Sequence, residues 1–415
     1  MASISLITIG DELLKGRIVN TNASKAGLML RTHGFSFHRV VTISDTREDI
    51  RDTVKAELDA HDIVIMCGGL GPTQDDITKP TLAELFESEM EWHAPTMAYL
   101  ERRYSERGRE LDDRSSRQAL VPAVAEVLPN PMGTAPGMAF AQDDKLLFSL
   151  PGVPFEFFYL LENEVIPKIK SNFDTGFFDH HIIRILGVPE SRAALWISEL
   201  EAKMDPEVAL AFLPRNDGLW LEFSVREERK HAAMLANAAL VKKRFGEHVY
   251  TEGSRSAAAM LIDDLKQKGQ TIAIAESLTG GNIAAKLVAI SGASEVFTGS
   301  VTAYDVRIKI EQLGVDPDSV ERHTVVSEAV VKQMAEGVRK LLGTDYGIAS
   351  TGIAQAGGEL PTQAWLGFAD KNHTDAEFVR LLSDRQVNIE RASERAIILA
   401  YKKLQSQIGV EANSD

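Results

Sequence analysis

Short apolar stretches alternate with amphipathic ones along the first part of the chain. The apolar stretches predict strands at 3–9, 36–43, 63–67 and 145–150. The amphipathic stretches between the first three predict helices at 22–32 and 47–60. Strand, helix and strand recurring at this spacing are typical of an open, largely parallel α/β sheet with helices on both faces. Ligands of such sheets bind beyond the carboxyl ends of the strands.

The rest of the pattern divides into two further segments. The middle segment predicts a small α+β unit with strand 181–188, helix 191–204, strands 208–214 and 219–225, and helix 229–245. The last segment predicts a second α/β unit with helix 256–269, strand 271–275, a helix after Gly281, strand 298–304, helix 327–342, strands 346–351, 363–370 and 377–382, and helix 387–407. We therefore predict three domains, at 1–172, 178–252 and 256–410.

Composition and charge narrow the class of protein. The chain has 415 residues, of which 44% are hydrophobic and 25% charged, so it is globular and too long for one core. Its formal net charge of −15 would repel a phosphate backbone, so no direct nucleic-acid binding is expected. Cys67 is the sole cysteine, which excludes an internal disulfide and a Cys-based zinc site. Without a long apolar stretch or a signal-like start, we expect a cytoplasmic protein with no membrane contact.

A glycine-rich loop with two acidic residues follows the strand 63–67 and reads GGLGPTQDDIT. Glycines let the main chain approach a phosphate closely, and Asp75 and Asp76 could hold a divalent cation through oxygen. Asp11 and Glu12 repeat the pattern after the first strand, at the same edge of the predicted sheet. The alternative is a plain turn in which the acids favour a helix N-terminus. Two acidic turns at one sheet edge favour a functional site.

Four motifs give this first unit a family resemblance. The strings TIGDELLKGRIVNTN, GGLGPTQDDIT, NPMGTAPGM and LPGVPFE occur in the order and spacing of the amino-terminal domain of the CinA family, which the chain resembles here. The resemblance implies the fold of molybdopterin-binding proteins and a metal-dependent pyrophosphatase that splits ADP-ribose into AMP and ribose 5-phosphate. The implied cofactor is a divalent ion, Mg²⁺, Mn²⁺ or Co²⁺, with K⁺ as a further candidate.

The expected site residues of this unit form three groups. The candidates for metal ligands or base are Asp75 and Asp76, followed by Asp11, Glu12 and Glu156. The candidates for shaping the phosphate site are Gly69, Gly71, Thr73 and Thr78. The candidates on the nucleotide side are Asn130, Gly133, Thr134 and Gly137. For the LPGVPFE motif, the alternative to a functional role is a turn that is fixed by proline and starts a helix.

The middle segment resembles the KH-like inserted domain of full-length CinA proteins. A KH domain clamps single-stranded RNA with a GXXG loop, but the corresponding turn here is Gly187-Val188-Pro189-Glu190. Its proline and acid stand where phosphates would lie. We therefore expect a structural spacer or dimer element, and a homodimer.

The last segment holds a candidate nucleophile. Ser277 lies in Ala-Glu-Ser-Leu-Thr-Gly-Gly, between a predicted strand and a helix whose N-terminus would stabilise an oxyanion. The alternative is a helix N-cap. There is no G-x-S-x-G elbow and no Ser-His-Asp order, and His323 is expected in a loop. A serine without histidine needs another base, and Lys309, five residues after Tyr304, could serve as a desolvated lysine.

This segment resembles the nicotinamide-nucleotide amidase domain at the carboxyl end of CinA proteins. The matching features are AESLTGG, the spacing of Tyr304 and Lys309, VSE at 326–328, TGIA at 351–354 and SDR at 383–385. By this resemblance Ser277 attacks the carboxamide of nicotinamide mononucleotide while Lys309 and Tyr304 manage protons. Arg385 or Arg391 binds the phosphate. The other expected substrate contacts are Thr279, Gly280, Gly281 and Gly352.

Departures from the amidase pattern leave an alternative open. Gln355 and Ala356 stand where the family has glycine and proline, and Asp305 and Val306 replace its usual serine and asparagine. The domain could therefore keep its fold for assembly or regulation.

Three candidate functions follow for the whole chain. The first is a nucleotide-recycling hydrolase that combines both activities. The second is a non-catalytic pterin- or nucleotide-binding module with a scaffolding role, since fold does not fix function. Asp75 and Asp76 favour the hydrolase, because unneutralised carboxylates would hinder simple binding of an anion. A DNA-linked partner protein is a third candidate, and the net charge argues against its direct contact with DNA.

Overall fold

The computed structural model describes residues 2–73, 76–355, 361–382 and 384–411, with the side chains described as far as 406. The chain forms two compact units. Unit 1 comprises the residues up to 179 together with 225–229, and unit 2 comprises 180–224 and the residues from 230 onwards. Among the described helices, none is long and apolar enough to cross a lipid bilayer.

Unit 1 contains a six-stranded sheet, a short two-stranded sheet and helices. The strands are β1 (Ile4–Ile9), β2 (Phe37–Ile43), β3 (Ile63–Cys67), β4 (Met90–Trp92), β5 (Leu120–Pro122), β6 (Glu126–Leu128), β7 (Gly137–Gln142) and β8 (Lys145–Leu150). The helices are α1 (Asp11–Leu14), α2 (Thr21–Thr32), α3 (Arg47–Ala60), α4 (Thr78–Leu85), α5 (Ala94–Glu106), α6 (Asp113–Ser116), α7 (Pro154–Leu160) and α8 (Ile166–Asn172). A π-helical turn, Leu161–Val165, joins α7 to α8.

The large sheet has the strand order β2-β1-β3-β8-β7-β6. Its first four strands are parallel, and β7 and β6 are antiparallel additions. Every residue of β1 and β3 is buried, as expected for central strands covered on both faces. Alternate residues serve two cores: Ile4 and Leu6 pack with α2, α7 and α8, whereas Ile7 and Ile9 pack with α3 and α4. The predicted open, largely parallel sheet with helices on both faces is confirmed.

Unit 2 begins with a four-stranded sheet in the order β10-β11-β9-β12. Its elements are β9 (Asp179–Ile185), α9 (Glu190–Ser198), β10 (Ala209–Arg215), β11 (Gly218–Val225), α10 (His231–Phe245) and β12 (Val249–Glu252). The strand β12 pairs antiparallel with β9 and was not predicted from the sequence.

The second sheet of unit 2 has five strands in the order β14-β13-β15-β16-β17. The elements are α11 (Ala257–Lys268), β13 (Ile272–Glu276), α12 (Asn282–Val288), β14 (Phe297–Thr302), α13 (Val306–Leu313), α14 (Pro317–His323), α15 (Glu328–Leu342), β15 (Tyr346–Ile353), β16 (Gln363–Ala369), β17 (Thr374–Arg380) and α16 (Arg385–Glu411). The expectation that His323 lies in a loop is wrong, because it is the last residue of α14.

This sheet also packs on both faces. Ile272 and Ile274 of β13 contact a core built with α11, α12 and α16, and Ala273 and Ala275 contact another built with α13 and α15. Leu186 and Tyr250, from the preceding segment, belong to the first of these cores. The middle and last segments, which belong to one compact unit, therefore share core residues. The division into three domains stays a prediction.

Candidate functional site

The serine and lysine singled out in the last segment lie side by side. Ser277 follows directly after β13, and Lys309 lies on α13, the helix after the neighbouring strand β14. The Nζ atom of Lys309 lies 3.0 Å from the Oγ atom of Ser277. Nζ also donates to the backbone oxygens of Ala303 and, at 3.3 Å, Tyr304. Sheet topology thus brings together two side chains that are 32 residues apart.

Lys309 is deeply buried, with only 2% of the residue exposed. Burial lowers the pKa of its ammonium group from the ordinary 10.5, and the charge of Asp305 opposes that shift in part. An ammonium group could donate to all three contacts, whereas a neutral amine could donate to the two carbonyl oxygens and direct its lone pair at the Ser277 hydroxyl. Burial favours the neutral form, which is the form that can accept a proton from Ser277.

Glu276 holds the helix N-terminus beside Ser277, and sequence reasoning missed it. Its buried carboxylate accepts hydrogen bonds from the backbone N–H groups of Gly281, Ile283 and Ala284, at 3.0, 3.0 and 2.9 Å. These three N–H groups are therefore occupied within the protein, and stabilisation of an oxyanion by the helix N-terminus stays a prediction. The available signal was an acidic residue at the end of a buried strand, a few residues before a helix.

A cavity of about 320 Å³ opens at Ser277 and Lys309. Its polar lining includes Tyr304, Gln355 and Arg385. Its apolar lining is formed by Leu278, Val306, Val325, Val326 and Ile353. Tyr304 is 63% exposed, and its hydroxyl accepts a hydrogen bond from Arg385 Nη2 at 3.1 Å. The Tyr304 hydroxyl thus pairs with a cation at the cavity, whereas it is the backbone oxygen of this residue that contacts Lys309. Arg391 is not among the lining residues.

Other residues expected around this substrate make contacts within the protein. The hydroxyl of Thr279 lies 2.6 Å from that of Ser350. Gly280 and Gly281 have φ values of 60° and 105°, which favour glycine. A Cβ on Gly352 would lie 2.4 Å from the backbone oxygen of Gln363, so close strand packing explains this glycine. Ala356, Ser383 and Asp75 lie outside the described residues.

The glycine-rich loop of unit 1 follows β3 at the carboxyl edge of its sheet. Gly68 and Gly69 have φ values of 123° and 65°, and residues that have a side chain rarely adopt this backbone conformation. A Cβ on Gly68 would lie 2.6 Å from the Ile9 oxygen, and one on Gly69 would lie 2.1 Å from Thr78 Oγ1. Thr78 is fully buried. The glycines therefore let the loop pack against both the end of β1 and the start of α4.

Asp76 closes the tip of this loop. Its Oδ2 atom accepts hydrogen bonds from the backbone N–H of Thr73, at 2.8 Å, and from the Thr73 hydroxyl. A Cβ on Gly71 would lie 2.3 Å from the same oxygen. Lys79, missed by sequence reasoning, is buried on α4, and burial lowers its pKa to about 8. A cavity of about 800 Å³ borders these residues.

The acidic candidates for a metal site have other partners. Asp11 forms an ion pair with Lys15, and Glu12 is exposed. Glu156 accepts a hydrogen bond from Asn130 Nδ2 at 2.6 Å, and burial raises the pKa of its carboxyl group. Among the described residues, no three His, Cys, Asp or Glu side chains lie together so as to hold a metal ion. The described residues alone therefore do not complete a metal site, and the metal assignment stays a prediction.

Asn130 organises the loop that precedes β7. Its Oδ1 atom accepts hydrogen bonds from the N–H groups of Met132 and Gly133, at 3.1 and 3.2 Å, and its amide donates to the Ala135 oxygen. Gly133 lies against the Glu156 carboxylate, where a Cβ would be 2.0 Å away. Gly137 begins β7 and packs in the core. Asn130 and Thr134 also border a cavity of about 310 Å³.

Comparisons with known proteins cover both units. A family model described as "Probable molybdopterin binding domain" matches residues 5–171, and one described as "CinA C-terminal domain" matches 254–404. A CinA-like protein of Salinibacter ruber is 35% identical over 406 residues, which cover 96% of this chain and 98% of that protein. A CinA-like protein of Cytophaga hutchinsonii is also 35% identical, with coverages of 96% and 97%.

Solved structures give partial matches. The crystal structure of the protein CinA from Thermoplasma acidophilum is 34% identical and covers 41% of this chain and 98% of its own, with a TM-score of 0.38. A competence-damaged protein (CinA) superfamily structure from Klebsiella pneumoniae is 28% identical and covers 36% of this chain and 96% of its own, with a TM-score of 0.35.

Proposed function

Because the chain belongs to the family of CinA-like proteins, we propose that its carboxyl-terminal domain deamidates nicotinamide mononucleotide. The observation that carries the proposal is the contact of 3.0 Å between Lys309 Nζ and Ser277 Oγ inside a cavity. A buried lysine of lowered pKa is the kind of base that activates a serine where no histidine takes part. The substitutions at Gln355 and Val306 lie in the cavity wall and leave this pair intact.

The proposed reaction proceeds through an acyl-enzyme. Neutral Lys309 takes the hydroxyl proton of Ser277 while Oγ attacks the carboxamide carbon. The resulting ammonium group returns the proton to the amide nitrogen, which leaves as ammonia. Water then attacks the ester, with Lys309 again taking and returning a proton, and releases nicotinate mononucleotide and free Ser277.

The rest of the cavity suits the two ends of this substrate. The apolar side chains of Leu278, Val325 and Ile353 offer a surface for the pyridine ring. Arg385 lies at the cavity with its guanidinium next to the Tyr304 hydroxyl, and it can bind a phosphate through its remaining N–H groups. This division supports a mononucleotide rather than free nicotinamide as substrate.

The test is ammonia release from nicotinamide mononucleotide by the full chain and by Ser277→Ala. We expect the variant to lose activity by at least about a hundredfold while its thermal unfolding stays close to that of the unchanged chain. Ser291→Ala, an exposed serine, is the matched control and should keep full activity. Ammonia release that survives in Ser277→Ala would contradict the nucleophile assignment. No release by the unchanged chain would favour a fold kept for assembly or regulation.

A second proposed activity is metal-dependent hydrolysis of ADP-ribose to AMP and ribose 5-phosphate by unit 1. The observation that favours it is the glycine loop at the sheet edge, whose left-handed Gly68 and Gly69 are followed by Asp76. Such a backbone can present N–H groups to a phosphate. In this proposal the chain's own contribution at the loop is to bind the diphosphate and orient it.

Release of AMP from ADP-ribose in the presence of Mg²⁺, Mn²⁺ or Co²⁺, with and without K⁺, tests this activity. Asp76→Ala should abolish the release, and Asp59→Ala, an exposed acid at the end of α3, should not. Equal turnover by Asp76→Ala would remove Asp76 from the site. Binding of ADP-ribose without any AMP release would instead favour the non-catalytic pterin- or nucleotide-binding module.

A further inference from the structure

Three cationic side chains border the cavity beside the glycine loop of unit 1. The cavity measures about 800 Å³ and is lined by Gly71 and Thr73 of the loop together with Lys79, Arg114 and Arg117. Both arginines are exposed, in the segment that contains α6 and the 3₁₀ turn Arg117–Ala119. In a chain with a formal net charge of −15, this concentration of positive charge next to a glycine loop needs an explanation.

The arginine segment is hydrogen-bonded both to α4 and to the loop that precedes it. Lys79 Nζ donates to the backbone oxygens of Arg117 and Gln118, at 2.8 and 3.3 Å. Arg114 Nε donates to the backbone oxygen of Pro72 at 3.1 Å. Because Lys79 is buried and bonded to these carbonyl groups, it fixes the position of the segment and needs no ligand of its own. The two arginines are thus held beside the loop.

The guanidinium groups keep capacity for a ligand. Among the described residues, Arg114 donates a side-chain hydrogen bond only through Nε, and none accepts one from the side chain of Arg117. The acids that line the cavity, among the described residues, are Asp76 and Asp113. Asp76 already accepts two hydrogen bonds from Thr73. A planar guanidinium with free N–H groups binds phosphate oxygens in pairs, which lysine cannot do.

We propose that Arg114 and Arg117 bind the diphosphate of a nucleotide in this cavity, with Lys79 as the positioning residue that holds their segment against the loop. The proposal rests on the ADP-ribose hydrolysis proposed for unit 1, and it adds the cations that the glycine loop lacks. On the loop side the cavity is lined by Gly71, against which the Asp76 carboxylate packs, and by Thr73. Arg114 and Arg117 supply positive charge to the same cavity.

The direct probe is inorganic pyrophosphate, titrated calorimetrically into the full chain with and without Mg²⁺. We expect Arg114→Gln combined with Arg117→Gln to weaken binding by about tenfold to a hundredfold, the range for losing two charge-assisted contacts. The matched control is Arg109→Gln, an exposed arginine of unit 1 that does not line the cavity. Its affinity should stay within about twofold of the unchanged chain. Unchanged affinity in the double variant overturns the proposal, as does absence of pyrophosphate binding by the unchanged chain.

Turnover of ADP-ribose separates this proposal from the proposed activity. If the chain releases AMP, the double variant should raise KM by a similar factor while kcat falls less, because these arginines bind the ground state as well as the transition state. Normal KM in the double variant overturns the arginine site and leaves the hydrolase standing. If no AMP is released but the double variant still loses pyrophosphate binding, the hydrolase fails and the anion site stands.

Discussion

The chemistry proposed for Ser277 depends on a lysine that loses its proton more readily than a lysine in water. Burial lowers the pKa of Lys309 because the charged ammonium group is poorly solvated there. The neighbouring carbonyl oxygens of Ala303 and Tyr304 fix the direction of its N–H groups. The sequence predicted both members of the pair from the position of Ser277 and the spacing of Tyr304 and Lys309.

The pH dependence of ammonia release follows from this pKa. Below it Lys309 is protonated and cannot accept the Ser277 proton, so kcat/KM should rise with pH through a value below 10.5 and then level off. Lys309→Arg should lower kcat by about a hundredfold to ten-thousandfold, because arginine stays protonated. Rates measured between pH 6 and pH 10 check both points. Lys340→Arg, an exposed lysine, is the control. A wild-type pH profile and rate in Lys309→Arg would exclude this base.

Glu276 offers a second prediction for a single residue. Its carboxylate accepts three backbone hydrogen bonds at the start of α12 through both of its oxygens. An amide has one acceptor oxygen and a donor NH₂ group, so it cannot accept all three in the same way. Glu276→Gln should therefore lower the free energy of unfolding by about 1 to 3 kcal/mol. It should also reduce kcat for ammonia release more than it changes KM, because the strand end that carries Ser277 shifts. Urea denaturation and initial rates test this, with the exposed Glu295→Gln as control.

Side-chain direction explains why Glu276 and Lys79 were not predicted. Both are charged and buried, and a sequence pattern assigns charged residues to the surface by default. The Glu276 carboxylate accepts hydrogen bonds from N–H groups that lie five to eight residues later in the sequence. The Lys79 ammonium group donates to carbonyl oxygens that lie 38 and 39 residues later. Such contacts depend on tertiary placement. The placement of Ser277, by contrast, follows from its position directly after a strand.

At the scale of the elements, long periodic stretches were predicted well. The bounds of β3, β8 and α3 agree with the prediction, because each element has a continuous buried or amphipathic pattern. The strands β4, β5 and β6 have three residues each and β12 has four, too few to show a period. The helix α4 was expected only in the alternative for the glycine loop, in which the acids favour a helix N-terminus, and no bounds were predicted for it.

The turn between β3 and α4 allows a prediction about backbone strain and packing. Gly69→Ala would place a methyl group 2.1 Å from Thr78 Oγ1 on a backbone with a φ of 65°. Gly108 has the same φ, and nothing lies within 4 Å of the Cβ position there. Gly108→Ala should therefore cost about 1 to 2 kcal/mol from strain alone. Gly69→Ala should cost at least about 2 kcal/mol more, since buried overpacking adds to the strain.

Chemical denaturation of the two glycine variants measures that difference. Adding Thr78→Ala to Gly69→Ala should recover part of the loss, because it removes the hydroxyl that the new methyl group meets. Equal losses for Gly69→Ala and Gly108→Ala would show that the loop does not pack against Thr78 as described.

At the scale of the whole molecule, the two proposed activities belong to different compact units. Ser277 and Lys309 lie in unit 2, and Asp76, Arg114 and Arg117 lie in unit 1. The sequence predicted three units with separate cores, and this division stays a prediction. Leu186 and Tyr250 of the middle segment join the core of the last sheet. A hydrophobic pattern shows which residues are buried and leaves open which core they enter. The expected homodimer stays a prediction.

The position of Leu186 in the core of the last sheet predicts that a cavity made in the middle segment also destabilises that sheet. Leu186→Ala removes buried methyl groups from a core that also contains Ile272 and Ile274 of β13, the strand that carries Ser277. It should lower the stability of unit 2 by about 2 to 5 kcal/mol, the cost of such a cavity. Ammonia release should then be lost at a lower urea concentration than in the unchanged chain. AMP release from ADP-ribose should keep its urea dependence, because no residue of the damaged core belongs to unit 1.

The exposed Leu195 of α9 supplies the matched control for that experiment. It is 62% exposed in the same middle segment, so Leu195→Ala should change stability by no more than about 0.5 kcal/mol. A loss in both activities at the same urea concentration would mean that the two units unfold together. If Leu186→Ala left ammonia release as resistant to urea as Leu195→Ala does, the middle segment would have a core of its own, as the sequence pattern first indicated. The urea dependence of ammonia release and that of AMP release thus show together whether the chain unfolds as one, two or three units.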